Sequence, residues 1–357
     1  MSKSKSAKRI SLIIPCYNIN QYIGDCLHSV LQQKDIEKCQ VICINDGSSD
    51  GTGKILNRYS HKYPNIIQVV ENKNNSGVST ARNVGLDMVR GTGVMFMDGD
   101  DLIGGRPDLL HRTDKYYLES FYDTLMSNDD CGMVIGNMFY VDSKIKDIVN
   151  TKRTTQMTGA LAKGKVPNDK ALDFLDTRLS SCATLYRADL IQKYNIRFKP
   201  QMIYYEDTDF VMRYAIYASQ EYPYILTPTN RDTYYMYRRR PNSAMLKLSR
   251  HSEKFIRRLE RTKDRLIYYS TLLDNCAKTY GESSRIYNIA AHRYTSSLKL
   301  ILNYATLSND AEYSALSEYV PVHCMGCYSH DCGICEYGCT LMHLYKKCIA
   351  DLVSKRR

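Results

Sequence analysis

The chain has 357 residues, 43% of them hydrophobic and 24% charged, with a formal net charge of +11. This is the make-up of an ordinary globular protein, long enough for one large domain plus additions. No apolar run reaches the ~18 residues that span a bilayer, which excludes an integral helical membrane protein, and the basic balance favours anionic partners such as nucleotide phosphates, nucleic acid or anionic lipid.

The first nine residues form a basic tail. The apolar run Ile10 to Ile14 that follows is too short for a signal peptide, so the chain is read as cytoplasmic. Peripheral association with the inner face of the cell membrane is open to it through its basic surface. In that compartment its 13 cysteines are expected mostly as reduced thiols.

Ile10 to Ile14 predicts a buried strand ended by Pro15. Tyr22, Ile23, Cys26, Leu27, Val30 and Leu31 recur at helical spacing, with Asn20 as cap. Val41 to Ile44 predicts a second strand ending in Asn45-Asp46-Gly47-Ser48. A helix follows Thr52 through Ile55, Leu56 and Tyr59, and Ile66 to Val70 predicts a third strand. Val78 to Arg90 predicts a helix stopped by Gly91, and Val94 to Met97 a fourth strand that runs into Asp98-Gly99-Asp100-Asp101. Strands and helices alternating at this spacing predict an α/β domain with a mainly parallel sheet.

Ligands in such sheets sit at the carboxyl ends of the strands. That rule selects Pro15 to Asn18, Asp46 to Ser48, Asn72 to Asn75 and Asp98 to Asp101. Carboxylates crowded at one strand end repel one another, and a hard divalent cation offsets that repulsion.

Farther along, Met133 to Val141 predicts a strand, Lys163 to Asn168 a polar loop, Ala171 to Leu179 a helix and Cys182 to Tyr186 a strand. Glu206, Asp207 and Asp209 open an amphipathic helix from Phe210 to Ala218, where acids can act simply as caps. Tyr234 to Arg238 predicts another strand. The composition changes after Pro241, and two helices rich in Arg, Lys and Tyr are expected over 251–280 and 283–304.

Several separated motifs resemble family 2 glycosyltransferases of the GT-A fold. They are Ser11 to Asn18 with Tyr22-Ile23 and Cys26 to Val30; Asn45 to Thr52; Asn75 to Gly85; Met97 to Asp101; Glu206-Asp207; and Tyr237-Arg238 through Pro241 and Ser243. The resemblance runs from about residue 10 to 246. It implies a Rossmann-like, mainly parallel sheet flanked by helices, followed by a helical C-terminal module. In these terms 10–105 is the nucleotide-sugar half, 106–248 the acceptor half and 249–357 the helical module.

The implied reaction is inverting transfer of a sugar from a UDP-sugar to a glycan or lipid-linked acceptor, in surface polysaccharide or glycolipid synthesis. Pro15, Tyr17, Asn18, Asp46, Asn75, Arg82 and Asp98 would bind the nucleotide. Asp100, with Asp98, would ligate Mn²⁺ or Mg²⁺. Asp207 would be the general base, its pKa raised by burial near Tyr204 and Tyr205, with Glu206 positioning it or the acceptor; Asp209 would be a cap. Asp101 would lead into the loop on the acceptor side.

Relatives with a metal-ligating His after the Tyr-Arg pair differ from this chain, where Arg238, Arg240 and Ser243 stand instead and would meet the diphosphate or acceptor. A sugar-phosphate nucleotidyltransferase would want a glycine-rich, lysine-bearing loop, and Pro15 to Gln21 has neither residue. A non-catalytic nucleotide- or nucleic-acid-binding protein remains the alternative, although no nucleic acid is expected as a partner while Asp98, Asp100 and Asp207 are all present. Cys324, Cys327, Cys332, Cys335 and Cys339 in the Cys-rich segment 323–343 could hold a metal or reflect a cysteine-rich composition. The sugar, the linkage and the oligomeric state stay open.

Overall fold

The computed structural model describes residues 8–105, 116–141, 148–150, 166–167, 180–226, 233–240 and 254–284, together with 287, 288, 290, 291 and 294. The chain forms two compact units, one of Met1–Met202 with Glu206–Lys247, the other of Ile203–Tyr205 with Leu248–Arg357. Among the described residues no helix is long and apolar enough to cross a membrane.

The first unit is built on the strands that the apolar runs predict. β1 (Lys8–Cys16), β2 (Gln40–Asp46), β3 (Ile67–Asn72) and β4 (Gly91–Phe96) lie parallel in the order β3-β2-β1-β4. Every residue of β2 is buried, as expected of a parallel strand covered on both faces. The connecting helices are α1 (Ile23–Leu31), α2 (Thr52–Lys62) and α3 (Val78–Leu86). The chain runs outward from β1 to β3, then returns to place β4 on the other side of β1. The strand order therefore reverses between β1 and β4, the place where doubly wound sheets hold ligands.

The sheet continues through shorter strands. Their chain order is β5 (Leu102–Gly105), α4 (Tyr117–Met126), β6 (Cys131–Ile135), β7 (Asn137–Val141), β8 (Ile148–Asn150), β9 (Val166–Pro167), β10 (Thr184–Arg187), α5 (Ala188–Lys193), α6 (Glu206–Glu221), β11 (Tyr224–Leu226) and β12 (Thr233–Arg238). The large sheet runs β3-β2-β1-β4-β10-β6-β11-β9, and β5-β12-β7-β8 form a separate small sheet. Phe96, the last residue of β4, is fully buried against the rings of Tyr186, Phe198 and Phe210. This aromatic cluster anchors the strand that carries the acidic turn.

Four expectations are corrected. The single strand over Met133 to Val141 is two strands in two sheets, broken at Gly136. A Cβ there would lie 2.2 Å from Phe121 Cζ, and the Gly136 amide donates to the Ala183 carbonyl at 2.8 Å. The backbone thus passes through a space no side chain can enter, and the chain changes sheet. α3 ends at Leu86 rather than Arg90, because the Arg90 and Gly91 amides turn away to donate to Ser11 Oγ at 3.1 and 2.9 Å. α1 begins at Ile23 with Tyr22 at its N-cap, while the Asn20 amide donates to Asp50 instead, at 2.9 Å. The loop expected over Lys163 to Asn168 contains β9, which pairs with β11. The helix expected over 171–179 and the Cys-rich segment lie outside the described residues, as does most of the helix over 283–304.

The second unit contains α7 (Lys254–Tyr280). Its Asp264 is buried and accepts the Ile203 and Tyr204 amides at 2.8 and 2.7 Å, and Tyr268 stacks on Tyr205 with centroids 6.0 Å apart.

Gly136→Ala is expected to lower stability by about 1–3 kcal/mol through overpacking. Adding Phe121→Leu should recover part of that loss, as read by urea unfolding.

Candidate active site

The site begins where β4 ends. Asp98 to Asp101 form a tight turn in which the Asp101 amide donates to the Asp98 carbonyl at 3.0 Å. Gly99 lets the turn press against the end of β1: a Cβ there would lie 2.4 Å from Ile19 Cδ1 and 3.2 Å from the Pro15 carbonyl oxygen. Any other residue would push the acids away from β1.

The three acids of this turn have different surroundings. Asp101 leads directly from the turn into β5. It is buried, accepts from Tyr235 Oη at 2.6 Å and from the Arg238 amide at 2.8 Å, and burial, followed by Asp100 and Asp98, pushes its carboxyl up. Tyr235 Oη in turn accepts the Asp98 amide at 3.0 Å, so β12 clasps the turn from below. Asp100 lies 2.5 Å from Arg240 Nε. Burial pushes its carboxyl up and Asp98 adds to that, while Arg240 opposes both.

Asp98 meets Arg82 instead. The Arg82 guanidinium, brought in by α3, is 2% exposed and lies among three acids. Its Nη2 is 2.9 Å from Asp98 Oδ1, and its Nη1 is 2.5 Å from Asp207 Oδ1 and 3.8 Å from Glu206 Oε1. The Phe198 ring lies beneath it, 5.1 Å from ring centroid to guanidinium carbon. Burial works against its charge, but Asp207 and Asp98 outweigh that and hold the guanidinium protonated.

Glu206 and Asp207 occupy the first turn of α6. Asp207 Oδ1 also accepts from Ser181 Oγ at 2.8 Å, and Oδ2 from Ser180 Oγ at 3.3 Å. It is Glu206 that burial pushes up, to about 8, with Asp207 adding to the shift and Arg82 opposing it. Asp209 is not a cap; it is buried and pairs with Arg213 at 2.5 Å and Lys199 at 3.0 Å.

The remaining candidates gather at the ends of β1, β2 and β3. Tyr17 is 46% exposed beside half-buried Pro15. Asn18 adopts φ 50° and joins the β1 end to the next turn: its amide donates to Ser48 Oγ at 3.1 Å, and its side chain accepts the Ser49 amide at 2.9 Å. Asp46 is buried and accepts from Asn72 Nδ2, from Ser76 N and Oγ, and from Gly77 N. Its carboxylate thus shapes the turn that presents Asn75, which is exposed and accepts the Gly77 amide at 2.9 Å. Arg238 is buried, 3.0 Å from Asp25 and over the Tyr22 ring, whereas Arg240 keeps a quarter of its side chain exposed. Ser243 lies outside the described residues.

The motif residues thus bring Arg82, Asp98, Asp100, Glu206, Asp207 and Arg240 into one linked group. The residues that sequence reasoning missed are Tyr235, Ser180 and Ser181. Each is a common residue in a segment without a motif, and only the fold brings it to the acids. The donor set of Asp98 and Asp100 is hard oxygen and suits Mg²⁺ or Mn²⁺. Among the described residues, no group of three or more His, Cys, Asp or Glu side chains is placed to hold a metal.

A parallel sheet with an acidic turn at its switch point, facing a second acidic pair at a helix start, is the arrangement of a GT-A glycosyltransferase. The sequence pattern of the family described as glycosyl transferase family 2 matches residues 11–194, and the chain belongs to that family. It is 26% identical to the teichoic acid poly(glycerol phosphate) polymerase of Staphylococcus epidermidis over 215 residues, 59% of this chain and 26% of that one. It is 36% identical to the poly(ribitol-phosphate) beta-glucosyltransferase of Bacillus spizizenii over 97 residues, 27% of this chain and 15% of that one. The chain thus matches about a quarter or less of the length of these relatives. Among solved structures, S. aureus TarS 1-349 in complex with UDP superposes with a TM-score of 0.58 at 17% identity, covering 95% of this chain and 91% of that one. The mannosyltransferase PcManGT from Pyrobaculum calidifontis, in complex with GDP-Man and Mn²⁺, superposes at 0.51 with 14% identity, covering 98% and 89%.

Two outcomes follow from the charges. Between the ordinary Glu value of 4.5 and about 8, the unfolded chain has released the Glu206 proton and the folded chain keeps it. The folded state then binds more protons, so this group's contribution to stability falls as pH rises through that window. Melting temperatures of wild type and Glu206→Gln from pH 5 to 8.5 should therefore diverge, with the wild type declining more steeply. Removing one partner of a buried ion pair costs about 3–5 kcal/mol, and the partial exposure of the acids places Arg82→Met at the lower end, measurable by urea unfolding.

Proposed function

We propose that this chain transfers a sugar from a UDP-sugar to a hydroxyl of a glycan or lipid-linked acceptor, with inversion at the anomeric carbon, in the assembly of a cell-surface polymer. The observation that carries this reading is the buried Arg82, which joins Asp98 on the donor side to Asp207 on the acceptor side. The teichoic acid polymer named for one relative, the glucosyltransferase named for another, and the UDP and UDP-GlcNAc named for TarS structures support the choice of donor class and product.

In this reading the base lies at the ends of β1 and β2, against the exposed Tyr17 ring and beside Pro15. Asn18 and Asn75 line the same rim. Asp46, whose carboxylate is occupied by donors from Asn72, Ser76 and Gly77, serves the nucleotide by shaping the turn that presents Asn75. Asp98 faces the ribose or shares the metal position with Asp100. A bound Mn²⁺ or Mg²⁺ supplies Lewis-acid stabilisation of the charge that builds on the departing diphosphate. Arg240 offers a guanidinium to the same charge. Arg238, tied to Asp25, holds the strand from which Arg240 projects, and Ser243 is assigned to the diphosphate or the acceptor.

Asp207 takes the proton of the acceptor hydroxyl as the oxygen attacks C1 from the face opposite the diphosphate. Ser180 and Ser181 orient its two oxygens, and Arg82 fixes its position relative to the donor. Glu206, which keeps its proton at neutral pH, donates a hydrogen bond to the acceptor.

We assign 10–105 to the donor and 106–248 to the acceptor, with 249–357 as a helical module that follows them. The basic sequence of α7 suits docking at an anionic lipid surface.

Three variants test the reading. Asp207→Asn should lower kcat by about a hundred- to ten-thousand-fold while UDP affinity, read by calorimetry, stays near wild type. Glu206→Gln should lose less, and Asp100→Ala should lose Mn²⁺-dependent UDP binding and turnover together. If UDP with Mn²⁺ neither binds nor raises the melting temperature of the wild type, the reading is wrong.

A further inference from the structure

Arg240 stands where a positive charge is already expected, and three observations bear on it. First, the strand that delivers it is fixed to the acidic turn: Tyr235 Oη and the Arg238 amide both donate to Asp101, and the Asp98 amide donates to Tyr235. Second, the neighbouring arginine of that strand is committed, because Arg238 is 3% exposed and paired to Asp25. Third, among the described residues Arg240 is held by its ion pair with Asp100 and by the Tyr22 ring. Its Nε is 2.5 Å from Asp100 Oδ2 without hydrogen-bond alignment, its guanidinium lies 5.7 Å from the Tyr22 ring centroid, and a quarter of its side chain reaches solvent.

A cation binding to Asp100 must displace this guanidinium. Displacement by a metal ion alone leaves the arginine without an anion. Displacement by a metal ion that arrives with a diphosphate offers the same guanidinium phosphate oxygens in the planar geometry it matches. The energetic consequence is a coupling between two ligands that share one mobile charge.

Resting on the donor reading above, we propose that Arg240 is the resident counter-ion of Asp100 and changes partner, from Asp100 to the donor diphosphate, when divalent cation and nucleotide bind together. Mn²⁺ alone therefore binds weakly, and UDP strengthens it. By reciprocity Mn²⁺ strengthens UDP binding by the same factor.

The experiment is titration of the full chain with Mn²⁺, followed by the free-ion electron paramagnetic resonance signal, with and without UDP. In the wild type, UDP is expected to tighten Mn²⁺ binding by about five-fold or more. Arg240→Gln should bind Mn²⁺ without UDP several-fold more tightly than wild type, and UDP at saturating Mn²⁺ several-fold more weakly. These opposite signs are what a merely structural or merely solvated arginine would not produce. Unchanged or weaker nucleotide-free Mn²⁺ binding in Arg240→Gln overturns the inference. If that variant does not fold, Arg240→Lys carries the test. It keeps the charge but not the fork, so its nucleotide-free Mn²⁺ affinity should match wild type while its gain from UDP shrinks, and an undiminished gain overturns the inference. Loss of the donor reading would show separately, as wild type that binds no UDP at any Mn²⁺ concentration.

Discussion

One buried guanidinium sets the terms for the active site. Arg82 has almost no water around it, so its charge must be balanced by protein, and the acids that balance it come from two distant parts of the chain. Asp98 follows the fourth strand of the large sheet, and Asp207 lies in the first turn of a helix more than a hundred residues later. A cation shared in this way is costly to remove, because each acid would then lack a partner in a poorly solvated place. The same sharing fixes the distance between the two halves of the site more firmly than packing alone. Phe198 supports the guanidinium from below and is itself stacked on Phe210, with centroids 4.3 Å apart, so the position of the charge depends on the aromatic cluster around Phe96.

Charge is divided with similar economy in the acidic turn. Three aspartates within four residues cannot all face one cleft as free carboxylates. Asp101 is turned inward onto a phenol and an amide, Asp98 is tied to Arg82, and Asp100 is held by Arg240. Each has one dominant partner, and of these Arg240, the partner of Asp100, is the most exposed. Glu206 follows the same logic from the other side of the site, where retention of its proton limits the negative charge that Arg82 must balance.

Much of this was legible in the sequence because it depends on local pattern. Short apolar runs ending in polar clusters located β1 to β4 and the edge of the sheet where the acids collect. The acidic turn and the Glu206-Asp207 pair were visible for the same reason. What stayed hidden depends on contacts between distant segments. Arg82 read as a lining residue, since nothing within α3 announces that acids 16 and 125 positions away will meet it. Asp46 read as a ligand-facing carboxylate, whereas four groups of the chain already donate to it. The split at Gly136 was invisible because β6 and β7 are equally apolar, and the sheet change is imposed by the Phe121 ring. Tyr235 read only as a strand residue in a tyrosine-rich chain.

That tyrosine has a mechanical consequence. Its single oxygen accepts from the backbone of Asp98 and donates to the side chain of Asp101, so the two ends of the acidic turn are tied to one atom of β12. β12 is itself the central rung between β5 and β7. The acidic turn is therefore anchored to the small sheet through one side chain, and moving Asp98 away from Asp101 would work against the β5-β12-β7 ladder as well as against its own hydrogen bonds.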